Sequence, residues 1–309
     1  MEMGGFLSLM DNIVYFEVLE NNVNFFLNHK DAGENKYMRY SMTHLVKPFT
    51  DGGIMQNQDL WRILHLKAFV KTENGFVQDL PYKLTTGGEW ECALQIEGTP
   101  DCHGGFHGYE HLTKASLTAD GKEYPLDIEG IFMAKKAVFT QESRIYKQGT
   151  VDELIALHTK EYIFENGAVK INQNLEWKQS LPVLKAYLCM LPVVRTHNYK
   201  PDGILVTDSF EADGDSQVYD VSKEGHKTAY STDMELHQNV KRVKLWGKES
   251  GLVCVVTADY ESLGEDMFFV QNTAPFNKLY FTYVGANGAY QTKVGEKWSY
   301  GSCFEIYAK

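Results

Sequence analysis

Glu165-Asn166-Gly167-Ala168-Val169-Lys170-Ile171-Asn172-Gln173-Asn174-Leu175 is the stretch that decides the fold. Val169 and Ile171 alternate with Lys170, Asn172 and Asn174, so one face is apolar and the other polar. A period of two with one wet face marks a strand in an antiparallel sheet. Asn166-Gly167 ahead of it is a strong hairpin signal, because both residue types accept the positive φ of a tight turn. The run at 161–164 before the turn supplies the partner strand.

Working outward, similar short runs recur at 13–19, 23–27, 64–70, 89–96, 115–118, 128–139 and 143–146, and again at 183–191, 240–245, 252–257, 267–270, 278–284 and 302–307. Asp120-Gly121 and Asn74-Gly75 repeat the turn device. The clearest helix expectation is 151–158, with Thr150 as its N-cap. No heptad, repeat or Pro/Ser-rich linker interrupts the pattern. The chain reads as mostly β, a large antiparallel β-sandwich with few short helices. It is taken as one domain over 1–309, and any two halves would meet near 134–160.

Composition agrees. The 309 residues are 43% hydrophobic, with 18 Tyr and 17 Phe but only 8 Pro. That favours strands and a sizeable core over disorder. The net charge of -11 argues against nucleic acid as a partner. The tight basic run Lys241, Arg242, Lys244 reads as the solvent face of a strand. Cys92, Cys102, Cys189, Cys254 and Cys303 form no CxxC and are odd in number, which fits free thiols and neither a zinc motif nor a disulfide framework. The start, MEMGGFLSLMDN, has acidic Glu2 where a signal peptide needs positive charge. No run approaches the ~20 apolar residues of a membrane span. The expectation is a cytoplasmic protein, or one released without a signal peptide, as in a phage particle.

Chemistry concentrates in Asp101-Cys102-His103-Gly104-Gly105-Phe106-His107-Gly108-Tyr109-Glu110-His111. Glycines let a backbone approach a ligand, while His, Tyr and Glu supply acids and bases. Three readings stand: a structural loop with its histidines bonded to carbonyls, a metal site from His103, His107 and Glu110 or His111, and a metal-free sugar site. The metal is not favoured, since the spacing is not HExxH on a helix, and no cofactor is expected. A second segment holds Arg195, His197 and Tyr199. His197 and Tyr199, two apart, would share a side of an extended chain. Weaker candidates are His158 with Tyr162, and the run 56–62, where Trp61 and Arg62 could line a groove. GxGxxG, GxxxxGK[ST] and GxSxG are absent, which argues against nucleotide chemistry and the common serine-hydrolase layout.

The run His158-Thr159-Lys160-Glu161-Tyr162 to Trp177, with Ala186-Tyr187-Leu188-Cys189-Met190-Leu191-Pro192, resembles the supersandwich proteins that process carbohydrate. These include galactose-mutarotase-like proteins and the β domains of some polysaccharide lyases. Leu279-Tyr280-Phe281-Thr282 through Gly295-Glu296-Lys297-Trp298 is similar in style, and the 104–110 loop resembles proteins of phage tail regions. The resemblance implies a polysaccharide or oligosaccharide partner and, most concretely, a lyase cleaving a uronic-acid polymer by β-elimination. Arg195 would then neutralise the carboxylate, His107 act as base and Tyr109 as acid. His197 would join them, and His103, Glu110, His111, Tyr199 and Trp61 would bind ligand. A non-catalytic carbohydrate-binding or phage-tail recognition protein and a mutarotase-like sugar epimerase remain the alternatives.

Overall fold

The computed structural model describes residues 13–51, 54–81, 84–86, 90, 92–150, 152–197, 203–226, 228, 230, 240–259, 261, 263, 267–273, 275–284 and 288–309. Strand accounts for 65% of it and helix for 2%. The strands are β1 (Val14–Leu19), β2 (Asn22–Asn28), β3 (Lys36–Asp51), β4 (Ile54–Thr72), β5 (Gly75–Gln78), β6 (Thr85–Thr86) and β7 (Ala93–Ile96). Next come β8 (Glu110–Ala119), β9 (Lys122–Tyr124), β10 (Gly130–Ala134), β11 (Lys136–Tyr146), β12 (Leu154–Glu165), β13 (Ala168–Trp177) and β14 (Pro182–Val194). The last are β15 (Ser209–Ala212), β16 (Tyr219–Asp220), β17 (Arg242–Trp246), β18 (Leu252–Asp259), β19 (Met267–Thr273), β20 (Phe276–Val284), β21 (Tyr290–Gln291) and β22 (Lys297–Ala308).

Pairing sorts these strands into two antiparallel layers. One runs β10-β1-β2-β3-β4, then through β6 to β14, β20 and β19. The other runs β9-β8-β11-β12-β13-β22-β18-β17-β15-β16. A parallel bridge between Asp59 and His111 ties the layers at one margin. Phe25 of β2 stacks on Phe164 of β12 with centroids 3.7 Å apart, so the layers meet face to face. Trp90 packs at 5.0 Å on Phe304 of β22 and at 6.1 Å on Tyr40 of β3. The main apolar cluster draws on residues from Val14 to Ala308. Among the described residues, no helix is long and apolar enough to cross a membrane.

The hairpin expectation holds at backbone level. Glu165 pairs with Ala168 across Asn166 (φ 53°) and Gly167 (φ 74°), the doubly positive geometry of a type I′ turn. Asp120 (φ 47°) and Gly121 (φ 79°) do the same between Ala119 and Lys122. The helix expected at 151–158 is corrected: its described part leads into β12, where Ala156 pairs with both Ile145 and Trp177. A helix of about eight residues is marginal alone, and two neighbouring strands offer this segment a complete ladder.

One feature of the core is not apolar. Along β11, Phe139 belongs to the main cluster and Ile145 to a second, with buried Gln141 and Ser143 between them. Along β12, His158 and Lys160 lie between Ala156 and Tyr162; along β13, Gln173 lies between Ile171 and Leu175. Gln141, Lys160, Gln173 and Tyr300 are successive cross-strand partners. A belt of buried polar side chains therefore crosses the sandwich between two apolar clusters.

Candidate functional site

The loop between β7 and β8 sits at one margin of this belt. His103 begins it, in an isolated bridge with Leu94, and its ring is fully buried. The backbone N–H of Gln148 donates to its Nε2 at 2.9 Å, so Nδ1 carries the proton and faces the Leu94 carbonyl at 3.2 Å. Gly104 (φ 86°), Gly105 (φ 50°) and Gly108 (φ 86°) then coil the chain into a 3-10 turn, Gly105–His107. A Cβ at Gly104 would lie 3.4 Å from the Cys92 carbonyl and 3.5 Å from Glu110 Oε2. Those are ordinary contact distances; what asks for glycine here is the positive φ.

Glu110 is the hub. Both of its carboxylate oxygens are buried and used. Oε2 accepts the Gly105 N–H at 2.8 Å; Oε1 accepts Ser143 Oγ at 2.6 Å and lies 3.0 Å from His158 Nδ1. Lys160 Nζ stands 3.1 Å from Oε1. Burial alone would raise the Glu110 pKa, but Lys160, His158 and Ser143 together hold it well below the usual carboxylate range. His158 also faces Gln173 Oε1, at 3.1 Å, which Tyr300 OH bonds at the same distance. Glu110 and Lys160 already neutralise each other, so a charge on His158 would have no counter-ion. Burial accordingly pushes the His158 pKa down against the pull of Glu110.

The loop rests on β4. The Gln58 amide donates to the Gly105 carbonyl, and the buried Arg62 guanidinium lies 5.5 Å from the Phe106 ring centroid. Asp59 pairs with His111 and lies 2.6 Å from His44 Nε2. His111 is part-buried beside Tyr146, and burial lowers its pKa against the opposing charges of Asp59 and Glu110. Phe106 itself is 46% exposed. His107 lies next to it, with Nδ1 3.6 Å from Asp101 Oδ1.

The structure thus brings His103, His107, Tyr109, Glu110 and His111 together with the run 56–62, but in different roles. His103 and Glu110 point inward, with their polar atoms engaged, so the metal set His103, His107 and Glu110 is not assembled. Tyr109 is 1% exposed, and its ring lies 5.6 Å from that of His103. Its φ of 58° is unusual for a bulky residue and is held by the loop closure on either side. Trp61 is buried, with His44 stacked on it at 5.1 Å and Phe139 at 5.2 Å. That packing makes it part of the core wall.

Arg195 and His197 are elsewhere. His103 lies across β7 from Ala186, and Arg195 follows nine residues later, just past the end of β14, roughly 30 Å along the strand. Arg195 Nη1 donates to Asn272 Oδ1 and the Thr273 carbonyl, each at 3.2 Å. The His197 N–H bonds the Ile204 carbonyl at 2.9 Å. Tyr199 lies outside the described residues. The set Arg195, His107 and Tyr109 expected from the sequence is therefore not assembled at one place. Asp101 heads the polar loop that is a site candidate in the sequence, whereas Lys160, Ser143, Gln173 and His44 are not candidates there. Their signal is only a polar residue in phase with the apolar face of a strand, as at Gln173 between Ile171 and Leu175.

Fold and site together define a large antiparallel β-sandwich with a glycine-rich polar loop over a buried ion pair. No protein-family profile matches the chain, and no curated protein does. Solved structures do. The chain is similar to the GH36 α-galactosidase AgaA of Geobacillus stearothermophilus, at 11% identity over 93% of this chain and 41% of that one, with a TM-score of 0.46. It is similar to the galactosidase domain of the α-galactosidase–sucrose kinase AgaSK, at 12% identity over 94% and 41%, with a TM-score of 0.49. A putative mutarotase, YeaD of Salmonella typhimurium, aligns over 96% of this chain and 94% of that one, at 7% identity and a TM-score of 0.41. The chain spans about two fifths of the galactosidases' length (41%).

Proposed function

We propose that this chain binds a saccharide at the 101–111 loop, with Phe106 as the platform. The observation that carries this is an exposed aromatic ring on a loop that is otherwise locked. Phe106 is 46% exposed, while Gly105 on one side is bonded to Glu110 and Gln58. A ring offered on a fixed backbone costs little ordering on binding. Sugar rings present C–H faces that pack on an aromatic ring, and Asp101 and His107 supply polar groups beside it. The test is titration calorimetry against a panel of acidic and neutral oligosaccharides. Phe106→Ala is expected to weaken binding at least tenfold, about 1.4 kcal/mol, with an unchanged melting temperature. Equal binding by the variant overturns the proposal.

A catalytic reading is favoured by one further observation, the placement of His107 beside Asp101. A carboxylate there orients an imidazole as an acid–base group. In β-elimination on a uronate, His107 would take the proton α to the carboxylate as the β C–O bond breaks, and the leaving oxygen would be protonated by the His107 imidazolium or by water, while Tyr109 and Arg195 would have no direct part from where they lie. Ultraviolet absorbance of an unsaturated uronate product, lost in His107→Ala, supports this reading. Its absence across uronate polymers that the protein binds leaves recognition as the function.

A further inference from the structure

The same loop brings three different donor groups together. Asp101 and Cys102 precede the glycine turn, and His107 ends it. One carboxylate oxygen, the Cys102 sulfur and one His107 ring nitrogen all lie within 4.8 Å of one another. From these positions we infer that Asp101, Cys102 and His107 form a binding site for a divalent transition-metal ion, zinc being the best match.

Ligand atoms in a tetrahedral zinc site, about 2.0–2.3 Å from the ion, stand about 3.3–3.8 Å apart. The present spacing, within 4.8 Å, exceeds this by about an ångström, so the side chains would draw together around an ion. Thiolate, imidazole and carboxylate suit zinc and not the hard ions magnesium and calcium, which take oxygen ligands. A thiolate and a carboxylate also balance the charge of a divalent ion. The backbone around the donors is held. Asp101 N–H bonds Gln148 Oε1 at 3.2 Å, Cys102 N–H bonds Asp101 Oδ1 at 2.7 Å, and His107 N–H bonds the Gly104 carbonyl at 3.0 Å. All three residues are reachable from solvent, Asp101 being exposed and the other two part-buried. A three-ligand set open to solvent keeps a coordination position free. A thiol must lose its proton to ligate, so affinity rises with pH. An occupied site takes His107 out of general-base use.

Cobalt(II), which reports thiolate ligation through a sulfur-to-metal charge-transfer band, tests this on the purified chain without saccharide. The expected result is one ion per chain, the near-ultraviolet band, displacement by zinc and release of about one proton. Cys102→Ser should abolish the band. His107→Ala should weaken zinc binding by at least about 100-fold, since loss of even an outer-shell partner typically costs about 10–100-fold. Cys303→Ser, at the other part-buried thiol, should change neither. The metal-free melting temperatures of the variants should match the parent, which shows that folding is intact. No saturable binding, or a band that survives Cys102→Ser, overturns the inference. Neither outcome bears on saccharide binding at Phe106.

Discussion

Glu110 shows how much one side chain can organise. Its carboxylate is reached from the loop by Gly105, from β11 by Ser143 and from β12 by His158 and Lys160. Removing one member of a buried ion pair strands the other charge, at a typical cost of about 3–5 kcal/mol. Glu110→Ala should therefore destabilise the protein by about that amount in urea unfolding. Replacing both partners, as Glu110→Leu with Lys160→Met, should recover most of the loss, because no unpaired charge remains. A double variant as unstable as the single one would show that the pair does more than neutralise itself. In the sequence Glu110 reads as a ligand-binding residue. What it lacks for that role is solvent: each oxygen is already bonded.

At the scale of elements, the hairpin joining β12 and β13 carries most of its instructions locally. Gly167 has φ 74°, and a Cβ there would lie 2.7 Å from the Asn28 carbonyl and 2.9 Å from His29 Cα. It is a turn residue and also a contact between sheets. Gly167→Ala should cost at least about 1–3 kcal/mol, from backbone strain before the clash is counted. Gly121→Ala, at φ 79° with nothing within 4 Å of the added Cβ, should cost less. Denaturant midpoints of the two variants decide; equal midpoints would refute the close-approach argument. The segment at 151–158 makes the opposite point. VDELIALH carries helix formers, but from Leu154 onward β11 and β13 on either side hold it as strand. Local propensity lost to the ladder the neighbours offered.

For the whole molecule, the polar belt between two apolar clusters makes stability depend on pH. His158 has its pKa held below its usual 6.5 by burial, against Glu110. The unfolded ring takes up a proton sooner than the folded one, so stability falls as pH drops below about 6.5. His111, lowered in the same way, adds the same sign. Glu110 contributes stability present above its unfolded value near 4.5 and lost only as pH falls through its much lower folded value. The melting temperature should therefore decline from roughly pH 7.5 to pH 5. His158→Gln, which keeps a hydrogen-bonding side chain that does not titrate, should flatten the decline. A slope identical to the parent's would remove His158 as its source.

Some strands and turns were written locally in the chain by the sequence itself. Period two at 168–175 and the Asn166-Gly167 and Asp120-Gly121 pairs depend on neighbours in the chain, and the backbone obeyed them. It also located the polar loop at 101–111 and, faintly, its seat at 56–62. Only the tertiary structure decided which polar groups face water. Tyr109 and Glu110 follow each other in a loop that reads as exposed, yet the glycine turn folds them inward onto β11 and β12. Phe106, an apolar residue within that loop, is left outside on Arg62. Arg195 resembles a ligand-binding cation in sequence and is placed about a strand's length away, bonded to Asn272. Burial, charge pairing and proximity arise between residues far apart in the chain: Glu110 meets Lys160 across 50 positions. Alternation along one strand carries no information about which strand will lie opposite, so the chemistry of the site could not be read before the sheets were packed.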